Sequence, residues 1–300
     1  MSTSPGGRGG PKGRLETEPR DATPSAPTDD ARLALAGGAR PRRFGAWYVA
    51  EHRLRVMWSY SQTILATGFG EPLIYLYALG VGLATLVDRN LGVEAAEVGY
   101  LVYVAPALLC SAGLTTATIE FSYPVLLGYK WNPTFSGMHA GPIRPRQIVD
   151  GLVISVVIRL LATMVVYFGF MLLFGAVPSP TGWLAILVAT LTGLAFGTLL
   201  MAYASTIRDD TGQLAMVERL VVVPLTLFSG TFFPLSELPW FLQPIGWLSP
   251  LWHGTELSRV LTFGYAEPIW LSAVHVVVLV GMFLTGWLWS RGIAERRLTA

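Results

Sequence analysis

A chain of 300 residues that is 52% hydrophobic and only 13% charged, with a mean hydropathy of +0.51, is too apolar for an ordinary water-soluble domain and belongs in a bilayer. The formal net charge of +2 says little by itself, because the basic residues are concentrated in a few segments. The single cysteine, Cys110, lies in an apolar run, which excludes an intramolecular disulfide framework and a cluster of thiolate metal ligands.

Residues 1–43 are rich in Gly, Pro, Ser, Thr, Asp and Arg and lack an apolar run able to offset the entropy of folding, so they read as a disordered cytoplasmic tail. Their only apolar patch, Leu33 to Ala39, leads into Arg40, Pro41, Arg42 and Arg43 and has no secretory cleavage site. From Phe44 to Trp58 the pattern changes. Phe44, Trp47, Tyr48, Leu54, Met57 and Trp58 fall at helical spacing around Glu51, His52, Arg53 and Arg55. That predicts an interface helix lying along the membrane surface, the alternative being a charged start to the first span.

Apolar stretches follow at about 60–87, 98–123, 148–174, 183–207 and 269–290, each long enough to cross about 30 Å of hydrocarbon. Between the last two of these, residues 214–251 hold one span's worth of apolar residues up to about Phe233. The pattern then breaks up at Pro234, Pro239, Pro244 and Pro250. One span plus a re-entrant helical hairpin at about 235–251 fits, and its interrupted backbone must be shielded by protein or face water. The predicted fold is an all-α integral membrane protein of six transmembrane helices. Of the 21 Lys and Arg, Arg89 and Arg259 fall on one side and Arg159 inside the third span, with the rest on the other side. The positive-inside rule then places both termini in the cytoplasm of a multi-pass protein of the plasma (inner) membrane.

No Gly-Lys-Ser or Gly-Lys-Thr loop surrounds Lys12 or Lys130, so the chain has no phosphate cradle of that kind. His52, His139, His253 and His275 form no His-Glu-x-x-His pattern, and no serine sits in a Gly-x-Ser-x-Gly elbow. No catalytic residue, metal site or nucleic-acid partner is expected. The segment from Gly128 to Val149 is longer than a turn needs. In it Tyr129, Trp131 and Phe135 with Lys130, Arg144 and Arg146 make an aromatic and basic knob suited either to a partner's groove or to interfacial anchoring.

That knob and the run from Leu227 to Leu251, with its Phe-Ser-Gly-Thr-Phe-Phe-Pro core, resemble the permease subunits of type 2 ATP-binding-cassette exporters, in the branch of nodulation-factor and daunorubicin exporters. The resemblance covers roughly Phe44 to the C-terminus, one permease domain (44–300). It implies a homodimer of this chain with two ATPase subunits, membrane lipids around it, no cofactor on this chain, and ATP and Mg on the partner. It further implies a coupling helix at about 126–140, an interface helix at 44–58 that also touches the ATPase, and a hairpin of two short helices, about 235–242 and 243–251.

Charges inside spans are costly and are candidates for function. Glu71, before Pro72, sits mid-way along the first span as a path or gate residue or as a hydrogen-bonded structural carboxylate. Glu120 and Arg159 are expected to form an intramembrane charge pair, with Glu71 as the alternative partner for Arg159. Gly193 and Gly197 permit close helix approach, expected within the chain. Phe228, Phe232, Phe233, Trp240, Phe241 and Trp247 read as an aromatic vestibule for an amphipathic substrate (drug, lipid or lipid-linked glycan) or as hairpin anchors. The leading expectation is therefore the non-catalytic permease of an ATP-driven exporter. The alternatives are an intramembrane enzyme on lipid or glycan carriers, centred on Glu71, Glu120 and Arg159, and an ion-coupled secondary transporter.

Overall fold

The computed structural model describes residues 28–83 and 99–299. It divides into two units, Met1–Ala39 and Arg40–Ala300. In the first, helix α1 covers Asp29–Gly37, with Asp29 and Asp30 in its first turn. Helix thus occupies the end of a stretch expected to be featureless, because Ala, Leu and Arg there are strong helix formers and the acidic start suits the helix dipole.

In the second unit α2 runs Ala39–Ser59, kinked at Phe44. Helix α3 (Ser61–Tyr77) continues as a wide π-turn, Ala78–Leu83, and the remainder of the expected first span, with Arg89, lies outside the described residues. Next come α4 (Tyr100–Phe121), α5 (Tyr123–Leu126) extended by a π-turn to Trp131, and α6 (Thr134–Ala140). Helix α7 spans Pro145–Leu173 and α8 Ala185–Thr206. Helices α9 (Gln213–Val217) and α10 (Val223–Phe228) are joined by a π-turn, followed by α11 (Gln243–Leu248), α12 (Pro250–Phe263) and α13 (Ile269–Thr299). All regular elements among the described residues are helical. Among the described residues four helical segments are long and apolar enough to cross a membrane, at Tyr100–Trp131, Pro145–Leu173, Gly182–Thr206 and Ile269–Thr299.

The core is a sandwich of α8 between α4 and α13, with α12 packed against all three. Small residues make the α4–α8 seam possible. A Cβ on Gly193 would lie 2.5 Å from the Gly113 carbonyl oxygen, and one on Gly113 would lie 2.5 Å from that of Ala189. Backbone meets backbone here, as in small-residue membrane interfaces, and the Gly193–Gly197 pair is used within the chain.

Two stretches hold more than the single helix expected of each. The segment 126–140 is broken at Asn132 and Pro133 into α5 with its π-turn and α6. Helix α11 (Gln243–Leu248) lies within the 243–251 expected, and a longer helix, α12, follows it from Pro250. Pro250 starts this helix, because its missing N–H costs nothing in a first turn and Ser249 Oγ accepts from the Leu251 N–H.

Candidate coupling and translocation surfaces

The ends of the bundle differ in chemistry. The near end carries residues 122–144, 207–212 and the C-terminus, and the far end carries 174–181 and 229–268.

At the near end the predicted knob divides into a prop and a face. Phe135 is 3% exposed, edge-on to Tyr129 at 4.8 Å between centroids, and fills the space a Gly128 side chain would take, since a Cβ there would lie 2.3 Å from the ring. Tyr129 is covered by the Arg297 guanidinium, 4.4 Å from its ring centre. Trp131, 51% exposed, stacks loosely on Tyr123 at 6.4 Å and projects with Asn132 and Pro133. Lys130 Nζ donates to Asp209 at 3.0 Å and Arg146 Nη2 to Glu295 at 3.0 Å. Arg144 is exposed and caps α7, its N–H donating to Gln147 Oε1. Beside this face Arg208, Arg296 and Arg297 line a cavity of about 250 Å³, which suits an acidic partner surface. A further clamp joins α7 to α13, where Asp150 accepts from Arg291 and from Trp287 Nε1, at 2.8 Å for the latter.

Above the knob the structure brings Glu120 and Arg159 together and adds Arg53, one of the charged positions between the apolar residues of α2. Glu120 Oε1 accepts from Arg159, and Oε2 accepts from Arg53 at 2.9 Å. All three side chains are largely buried. Arg53 turns inward because the face of α2 that meets the protein is Gly45, Val49, Ala50 and Met57. The predicted aromatic face of Phe44, Trp47, Tyr48 and Trp58 stays outside the protein body. The Glu71 side chain lies outside the described residues.

At the far end Arg259, counted in the sequence as a loop charge, is 1% exposed. Its Nη1 donates to Glu256 Oε1 and its Nη2 to the Gly230 carbonyl, both at 2.8 Å, while Nε reaches the Tyr103 carbonyl at 3.3 Å. The guanidinium lies over the Tyr103 ring at 3.7 Å, so one side chain ties α12 to the 229–234 turn and to α4. Nearby, His253 Nδ1 and His275 Nδ1 stand 2.6 Å apart, His253 Nε2 donates to the Trp247 carbonyl at 3.0 Å, and His275 Nε2 meets Glu267 Oε1 at 2.7 Å. His253, Glu256 and Arg259 recur every third residue in one apolar helix. That polar stripe was the available signal for this site, and the reading of Arg259 as an outside charge passed over it. Of the vestibule aromatics, Trp240, Phe241 and Trp247 are largely exposed and Phe233 partly so, whereas Phe232 packs on the core and Phe228 is half-buried.

The family profile described as ABC-2 type transporter matches residues 46–263. The chain belongs to the ABC-2 type transporter family. Nodulation protein J of Rhizobium leguminosarum bv. viciae is 28% identical over 266 residues, covering 84% of this chain and 95% of that protein. Nodulation protein J of Rhizobium meliloti (strain 1021) is 26% identical over 270 residues, covering 87% and 97%. The inner membrane transport permease YadH of Escherichia coli (strain K12) is 23% identical over 246 residues, covering 80% and 91%. As an ABC-2 family member the chain is a multi-pass membrane transporter subunit, and the matched region takes in Arg53, Glu120 and Arg159, the Arg259 clamp and the aromatic turn.

Proposed function

We propose that this chain is the membrane-spanning subunit of an ATP-driven exporter, paired as a homodimer above two separate ATPase subunits that carry the ATP and Mg. In this reading it has six spans, the near end and both termini face the cytoplasm, and the membrane is the inner one, as the printed name of YadH has it for that protein. Helix α2 lies in the interface, where its outward Trp47 and Trp58 suit the headgroup level. The segment 229–263 is the re-entrant hairpin. The exported molecule is amphipathic, a drug, lipid or lipid-linked glycan, meeting Phe228, Phe232, Phe233 and Trp240 on its way out, with Glu71 on the path.

The observation that carries the reading is the near-end turn, in which an exposed tryptophan is presented by a buried phenylalanine beside a hollow lined by three arginines. Rigid aromatic anchors with basic neighbours are what an interface concentrates its affinity in. Both carboxylate oxygens of Glu120 are engaged by arginines, which tells against Glu120 as the base of the intramembrane-enzyme alternative.

Co-purification with a candidate ATP-binding-cassette ATPase tests the proposal. Trp131→Ala is expected to weaken the complex by about 2 kcal/mol, roughly thirtyfold, without changing the melting temperature of the permease. Phe135→Ala is expected to lower that stability by about 3–5 kcal/mol. Wild-type protein that never associates with the ATPase would remove the exporter reading.

A further inference from the structure

The knot of Arg53, Glu120 and Arg159 is unbalanced. Two guanidinium cations share one carboxylate, which leaves one positive charge over among the described residues. It is also short of acceptors, since the Nε–H groups of Arg53 and Arg159 are both buried and make no hydrogen bond. Unmet donors on buried cations are costly, and each calls for a partner.

An open groove of about 430 Å³ reaches this knot between α2, α3 and α7. Leu54, Met57, Trp58, Ile64, Ile158 and Arg159 are among the residues that line it. Trp58 stands 79% exposed. The groove is thus almost wholly apolar, with one arginine and an amphipathic indole in its lining. Arginine presents a planar fork suited to phosphate oxygens, and an apolar trough suits an acyl chain.

We propose that this groove holds one anionic phospholipid of the surrounding bilayer, its phosphate against Arg159 and an acyl chain along the trough. The lipid supplies Arg159 with an acceptor and the knot with the negative charge that the described residues lack. Because the groove is walled by α2 on one side and α7 on the other, the lipid splints the interface helix to the bundle. The inference does not rest on the exporter reading, and its test uses no ATPase.

The full chain, reconstituted in equimolar phosphatidylglycerol and phosphatidylcholine vesicles, is extracted in detergent and purified, and its retained lipid is measured by mass spectrometry. Retained phosphatidylglycerol is expected to exceed phosphatidylcholine several-fold in the wild type and in Arg159→Lys, and to fall to parity in Arg159→Gln. Ala162→Phe, on the groove wall, is expected to reduce retention of both lipids. Size-exclusion elution of each variant checks that it is folded. In a second measurement on the wild type, brominated phosphatidylglycerol is expected to quench the fluorescence assigned to Trp58, by difference from Trp58→Phe, more than brominated phosphatidylcholine does. Parity in the wild type, enrichment undiminished in folded Arg159→Gln, or equal quenching by the two lipids overturns the proposal.

Discussion

Arg259→Ala is expected to destabilise the protein more than any other single change at the far end, by about 3–5 kcal/mol, the range for removing one partner of a buried ion pair. The substitution strands the Glu256 carboxylate and takes the donor away from the carbonyls of Gly230 and Tyr103. It also empties one of the largest fully buried side-chain sites in the molecule. Arg259→Lys should recover little, because an ammonium does not span three elements as a planar fork does. Thermal unfolding in detergent reads the loss, and protease sensitivity of the 229–248 segment should rise before global melting. A variant that melts with the wild type would show that the clamp contributes nothing.

Glu120→Gln is the second large expectation. The amide leaves Arg53 and Arg159 close together with no protein counter-charge among the described residues, at a cost of about 3–5 kcal/mol. The double variant Glu120→Gln, Arg159→Met, which also removes one of the two cations, should be more stable than Glu120→Gln alone. That inequality is measurable as a melting-temperature order. The reverse order would mean that Arg159 is held by something other than Glu120.

Four of the six expected spans were legible because a bilayer imposes a length and a polarity that no tertiary context overrides. The segments expected at 98–123, 148–174 and 183–207 lie within a few residues of α4, α7 and α8. What periodicity could not give was which face of a helix meets protein. The aromatic side of α2 is the conspicuous one in sequence, yet the protein contacts its plain side and draws Arg53 in with it. Phe135 and Trp131 look alike as a string, and only the glycine at 128 and the ring of Tyr129 separate prop from face. Pro250 read as a break because proline so often ends a helix; the serine before it marks a beginning. The candidate site was half visible. The pair of Glu120 and Arg159 was foreseen, whereas contacts between residues far apart in the chain, such as Asp150 with Arg291 and His253 with His275, leave no local pattern to read.

The two histidines at the far end also make one fastener of several segments. The run of contacts from the Trp247 carbonyl through His253 and His275 to Glu267 joins α11, α12 and α13 with the loop between the last two. A change in one helix is therefore felt in another that is distant in the chain. His275→Leu, a substitution in α13, is expected to raise the protease sensitivity of residues 243–248, and an unchanged cleavage pattern would show that the run of contacts holds nothing.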